Sequence, residues 1–276
     1  MEMLDANVIE RDLKRMREGA RVLREGAVLV FPSVTSTNDV ARETMLHDHL
    51  TWVAVLAEEQ TAGRGRRGRS WVSQPGNGLF FTYAHAIQGP LIPDAWPLLV
   101  ALCVRDALAE QTAMDLTVKW PNDLLAGGKK VCGILTEARQ LEDRAVMITG
   151  IGVNVRLDLL STPDDVKTRA TSFESLGVTV DRNRLASALI HALAMLKRDV
   201  AEGLRFGDRI DAYRASCETL GKHVRAVHGS EVLEGVAEAI DEHGTLFLRD
   251  HAGNRHTLFS GEIVETAPLE GMRFSL

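Results

Sequence analysis

Apolar residues along the chain change their spacing several times, and each change marks an element. Between residues 8 and 25, Ile9, Leu13, Met16, Ala20 and Leu23 recur three or four apart, which predicts one amphipathic helix. "AVLVF" (27–31) and "WVAVLAE" (52–58) are apolar runs of buried-strand length. Between them, "TSTNDVARETML" opens with hydroxyl and amide side chains suited to a helix N-cap, so Ser36, Thr37 and Asn38 fall at a strand-to-helix turn. Strand character resumes in "GLFFTYAHA" from Gly78. "WPLLVALCVRDALAEQ" (96–111), apolar on most faces, predicts a helix packed on the sheet.

"LTVKW" (116–120) is a strand that Pro121 stops, leaving Asn122 and Asp123 at its exit, where ligand groups are often displayed. "KVCGILTEAR" (130–139) and "AVMITGIGVNV" (145–155), joined by the polar "QLEDR", predict an antiparallel hairpin. Residues 156–181 hold Pro163 and little periodicity, and predict a loop region; helices follow over 184–204 and 208–221. Beyond Lys222, short β runs alternate with turns at His228-Gly229, His243-Gly244 and Ala252-Gly253-Asn254, the texture of a small β-barrel. The fold class is therefore α+β. An N-terminal helix (1–26) precedes a domain with a central mixed or antiparallel sheet and flanking helices (27–219), then a small barrel (220–276).

The composition fits that reading. At 276 residues, 45% hydrophobic and 25% charged, the chain can bury a proper core and needs no staples. No apolar run reaches the roughly 18 residues of a membrane span, and the charged N-terminus is no signal peptide, so no membrane partner and a cytoplasmic location are expected. Cys103, Cys132 and Cys217 read as reduced, buried thiols. His47 and His49 lack the partners that a zinc site requires.

Charge changes the picture more. The net charge is −6, yet "GRGRRGRSW" (63–71) gathers Arg64, Arg66, Arg67 and Arg69 among three glycines. Such a loop can be a closing phosphate clamp, a solvated basic turn or a nucleic-acid patch. The acidity of the rest and the loop's attachment to two core strands weigh against nucleic acid. "KWPNDLL" is either a proline turn with an Asx cap or a place where Asn122 and Asp123 meet a nucleotide, Asp123 helping to hold Mg²⁺. Lys129 and Lys130, just ahead of Gly133, either open a solvated strand or offer a fixed charge to a carboxylate or α-phosphate. "GIGVNV" (150–155) lacks the third glycine and the following helix of a dinucleotide fingerprint.

Taken in order, "STND", "EEQTAGRGRRGRSW", "KWPNDLL", "KKVCGILTE" and "GIGVNV" closely resemble the biotin protein ligases, from about residue 27 to the end. The resemblance implies a class II synthetase-like catalytic domain followed by an SH3-like barrel. It implies ATP-dependent formation of biotinyl-5′-AMP, then transfer of biotin to one lysine of a biotin carboxyl carrier protein domain. It places Ser36, Thr37, Asn38, Gln60, Arg64, Gly65, Arg66, Lys130 and Gly133 on biotin, with Lys130 and Arg66 as the catalytic pair. Arg66, Arg67, Arg69, Trp71, Asn122, Lys130 and Asn154 would serve ATP and the adenylate, and Asp123 the Mg²⁺ that accompanies it. Pairing of two copies through the edge of the sheet is a family expectation. The segment ahead of the first strand is too short for the winged helix of bifunctional members, so no repressor role is expected. A ligase of the same superfamily acting on lipoate or octanoate is the nearest alternative.

Overall fold

The computed structural model describes residues 2–24, 26–48, 50–88, 95–141, 144–157, 163–229 and 231–267. His49, residues 142–143 of the hairpin turn, residues 158–162 of the expected loop and the last nine residues of the chain lie outside the described residues.

Seven strands form the main sheet: β1 (Gly26–Val34), β2 (Trp52–Gln60), β3 (Gly78–Gln88), β4 (Thr117–Lys119), β5 (Asp123–Ala126), β6 (Lys129–Gln140) and β7 (Arg144–Asn154). Their order is β1-β2-β3-β7-β6-β5-β4, and only β1 and β2 run parallel. A parallel pair needs a crossover, which α3 (Thr37–His47) supplies. Ser36 stands at its N-cap without making a capping side-chain bond. β5 has no counterpart in the sequence reading, because four residues following a proline turn are too short to display a period.

Strand alternation gives this sheet two unlike faces. Leu79, Phe81 and Tyr83 of β3, with Met147, Ile151 and Val153 of β7, join the core under α4 (Trp96–Thr112) and α6 (Arg182–Ala201). On the opposite face, Ala84, Val146 and Ile148 pack with Ala41 and Met45 of α3. Continuing along β7, that second face carries Gly150 and Gly152. His85 lies on the helix-covered face between the rings of Tyr83 and Trp96. Both its ring nitrogens are buried without a hydrogen-bond partner among the described residues, and burial pushes its pKa down to about 3.

The single helix expected over 8–25 is two, α1 (Ala6–Arg15) and α2 (Gly19–Arg24). Glu18 takes a left-handed conformation (φ 59°) and is held by Arg198 of α6 at 2.7 Å, while a Cβ on Gly19 would stand 1.7 Å from the Leu13 carbonyl oxygen. A tertiary ion pair and a close backbone approach thus override the local spacing. Ahead of α1, the Leu4 N–H donates to Glu58 Oε1 at 2.7 Å, and Arg182 donates to Glu58 Oε2 at 2.7 Å and to the Glu2 carbonyl at 2.7 Å. The two charged side chains are only 3% and 9% exposed. Burial alone would raise the Glu58 pKa, but Arg182 and the Leu4 N–H hold it below the ordinary carboxylate value.

The region expected as loop contains a short helix, α5 (Asp164–Arg169). The helix expected over 208–221 is confined to α7 (Ile210–Ser216), because Cys217 and Glu218 leave it to bridge β4, the Glu218 N–H donating to the Val118 carbonyl at 2.9 Å. After it come β8 (His223–His228), β9 (Glu231–Ile240), β10 (Leu246–Arg249), β11 (Arg255–Leu258) and β12 (Glu262–Ala267). They form a separate antiparallel sheet in the order β11-β10-β9-β8-β12. The Trp120 indole N–H ties the two sheets by donating to the Gly244 carbonyl at 3.2 Å.

Candidate active site

The glycines of β6 and β7 shape the site. Gly133 and Gly152 are register partners, and a Cβ on either would come within 2.6 Å or 2.4 Å of the Trp71 indole. Trp71 therefore lies against bare backbone, with Lys130 Nζ 5.2 Å above its ring. A Cβ on Gly150 would stand 2.3 Å from Asn38 Oδ1. Glycine within a strand marks such close approaches.

Two chambers open on either side of Trp71 and Lys130. The smaller, about 120 Å³, brings together Ser36, Thr37, Asn38, Gln60, Arg64, Gly65, Arg66, Lys130 and Gly133, with Asn122 and Gly150. The larger, about 420 Å³, lies between the two sheets and includes Arg69, Trp71, Lys130 and Asn154. Trp71, Asp123, Lys130 and Glu262 border both. Lys129 is exposed and borders neither.

The polar end of the small chamber is held rigidly. Thr37 donates from both its backbone N–H and its hydroxyl to Gln60 Oε1, at 2.9 and 3.0 Å. The Thr82 hydroxyl lies 2.8 Å from Thr37 Oγ1 and 2.6 Å from Asn38 Oδ1, and Asn38 Nδ2 donates to Glu137 Oε2 at 2.9 Å. Ser36, Thr37 and Asn38 are all buried. Such a network fixes donors and acceptors for a polar ligand group before it arrives.

The arginines divide their work. Arg64 forks onto Asp39 at 2.8 and 2.6 Å. Burial opposes the Asp39 charge, yet Arg64 and Arg42 hold its carboxyl below the usual range. Arg66 donates to Asn122 Oδ1 at 2.9 Å, and Asn122 Nδ2 donates to the Ile134 carbonyl at 2.6 Å. Burial lowers the Arg66 pKa against the pull of Asp123. Arg67, expected on the nucleotide side, borders neither chamber: its left-handed backbone (φ 56°) reverses the chain, and its guanidinium donates to the Val227 carbonyl at 2.7 Å. Arg69 pairs with Glu262 of the second sheet. Lys130 Nζ is 2.7 Å from Asp123 Oδ1, and Asn154 Nδ2 donates to the carbonyls of Lys130 (3.3 Å) and Thr171 (3.0 Å).

Known proteins resemble this chain in sequence and fold. A biotin–[acetyl-CoA-carboxylase] ligase of Mycobacterium tuberculosis is 34% identical over 77% of this chain and 78% of its own. The chain belongs to the biotin protein ligase family. Membership carries the catalytic class, that of an ATP-dependent biotin ligase. The profile of the biotin/lipoate A/B protein ligase family matches residues 30–154, and that of the biotin protein ligase C-terminal domain matches residues 219–264. A bifunctional ligase/repressor BirA of Bacillus subtilis is 32% identical over 90% of this chain and 77% of its own. The biotin protein ligase of Aquifex aeolicus, solved in complex with biotin and ATP, superposes with a TM-score of 0.72 at 27% identity, covering 86% of this chain and 97% of that one. Among the described residues, no helix is long and apolar enough to cross a membrane.

For a biotin protein ligase, sequence reasoning passed over Asp39, Thr82, Glu137, Gly150 and Gly152. The glycines carried a readable signal, since two glycines two apart in a strand remove side chains from one face. Thr82 and Glu137 carried none; their partners stand 44 and 99 residues away.

Proposed function

We propose that the small chamber binds biotin and the larger one ATP, with Lys130 joining the two halves of the reaction. The observation behind this division is that Lys130 borders both chambers from a rigid strand. Ser36, Thr37, Asn38 and Gln60 would meet the polar ring of biotin, and Gly133 would leave room beside it. Arg64, Gly65 and Arg66 would close over biotin and the adenylate. Lys130 would offset the repulsion between the biotin carboxylate and the α-phosphate. A carboxylate oxygen attacks the α-phosphorus, the bond from that phosphorus to the α–β bridging oxygen breaks, and pyrophosphate leaves with the electron pair. Arg66, held by Asn122, would retain the mixed anhydride away from water.

In the second step a neutral acceptor lysine amine attacks the biotinyl carbonyl and AMP departs. The acceptor in this reading is a biotin carboxyl carrier domain of a biotin-dependent carboxylase. Trp71 and Asn154 would face the adenosine half. The Trp71 indole N–H is buried without an acceptor among the described residues, a cost of about 1–3 kcal/mol that a nucleotide acceptor would relieve. Arg69, released from Glu262, would turn to the phosphates, and Arg67 would follow once the loop rearranges.

Among the described residues no three His, Cys, Asp or Glu side chains converge on a metal position. That suits Mg²⁺ arriving on the triphosphate, with phosphate and water oxygens as most of its ligands and Asp123 as one protein oxygen. In this reading the enzyme works in the cytoplasm, and two copies would pair along β1, the edge of the sheet. Exchange of labelled pyrophosphate into ATP tests the assignment. Stimulation by free biotin is expected; no stimulation, or equal stimulation by lipoate, overturns it.

A further inference from the structure

The larger chamber holds more cations than the adenosine half requires, and most are already engaged. Lys130 is bound to Asp123, Lys222 to Glu218, Arg69 to Glu262 and Arg156 to Glu174. Lys119 differs: it borders the chamber, yet its side chain makes no hydrogen bond or ion pair with any described residue. It is half-buried at the end of β4. Burial lowers its pKa; Lys130 and Arg169 add repulsion, while the charges of Asp123 and Glu262 oppose it without either carboxylate pairing with it directly. A half-buried ammonium that lines a cavity and is paired by neither neighbouring carboxylate is placed to take an anion that enters there.

Its position says which anion. Lys119 is the register partner of Asp123, and Asp123 grips Lys130 from the next strand along. With strands about 4.8 Å apart and Lys130 opposite a residue two positions along β5 from Asp123, Lys119 is rooted on β4 about 12 Å from Lys130 on β6. It thus stands on the side of Asp123 away from the small chamber, further from the reacting carboxylate than Lys130. Resting on the adenylation reading above, we propose that Lys119 binds the β- and γ-phosphates of ATP and then the departing pyrophosphate, a role separate from that of Lys130 at the α-phosphate.

The full-length chain tests this through Lys119→Met. In the exchange assay the KM for pyrophosphate should rise tenfold or more, by a clearly larger factor than any change in the rate of biotin transfer from purified biotinyl-5′-AMP, a step without pyrophosphate. Lys119→Arg should restore most of the loss. Calorimetric titration with pyrophosphate alone should show binding to the wild type that Lys119→Met weakens by a similar factor. An unchanged KM, or exchange and transfer falling together, overturns the proposal. Failure of the adenylation reading appears separately, as wild-type exchange that biotin does not stimulate, and the calorimetric comparison then still decides the role of Lys119.

Discussion

The two faces of the seven-stranded sheet share their strands and differ in what they do with them. Along β3 and β7 the helix-covered face carries Leu79, Phe81, Tyr83, His85, Met147, Ile151 and Val153, a nearly continuous layer of large side chains. The same strands present Phe80, Thr82, Gly150 and Gly152 to the other side, where, beside Asn38 and Trp71, the layer thins to a hydroxyl and bare backbone. The small chamber is made by side chains left out, and the full face behind it belongs to the core. Stability and binding are thus separated by the two-residue period of a strand.

That separation predicts where substitutions act, and the strongest effect belongs to Lys130. Lys130→Met should lower the rate of adenylate formation by about 10²–10³, the loss typical of one well-placed transition-state donor. Rapid-quench measurement of biotinyl-5′-AMP would show it, with the denaturation midpoint little changed. A loss of folding comparable to the loss of rate would contradict the division of faces. Next comes Gly150→Val, whose Cβ would press on the Asn38 amide. Overpacking costs about 1–3 kcal/mol, which should weaken biotin binding roughly ten- to a hundredfold by calorimetry while ATP binding stays near wild type.

The last effect concerns the covered face, touches stability alone and leaves binding at neutral pH unchanged. His85 has a folded pKa of about 3 against an ordinary 6.5, so below pH 6.5 the unfolded chain takes up a proton that the folded chain refuses. The contribution is complete above that pH and is lost as the pH falls from 6.5 towards 3, by at most about 1.4 kcal/mol per unit. Urea midpoints between pH 7 and pH 4 should therefore fall less steeply for His85→Phe than for the wild type. Parallel curves would show that His85 is not the group concerned.

Most of the sheet was legible because long apolar runs announced β1, β2, β3, β6 and β7, and glycine turns announced the second sheet. The nine residues expected around biotin also converge, since "STND", the arginine loop and Lys130 each sit at the end or start of a strong element. What escaped the sequence depended on distance. The break at Glu18 is enforced by Arg198, the fourth residue of the Thr37, Asn38 and Gln60 network is Thr82, and Arg67 turns towards Val227. Local spacing contains no record of partners that meet only after folding. "GIGVNV" was a different lesson: its glycines were measured against a phosphate loop, whereas their use here is to flatten a strand.

The buried pair of Glu58 and Arg182 also imposes an order of assembly. Asp5 caps α1 locally, but its backbone N–H, the Leu4 N–H and the Glu2 carbonyl are bound by Asn183, Glu58 and Arg182, and two of those lie about 180 positions later. During synthesis the contacts with Arg182 and Asn183 therefore form only after the start of α6 has left the ribosome, and until then residues 2–5 lack the partners that fix them to the core. A protease that cuts near Ile9 would, on this account, cleave nascent chains ending before residue 182 and spare those that extend well past it.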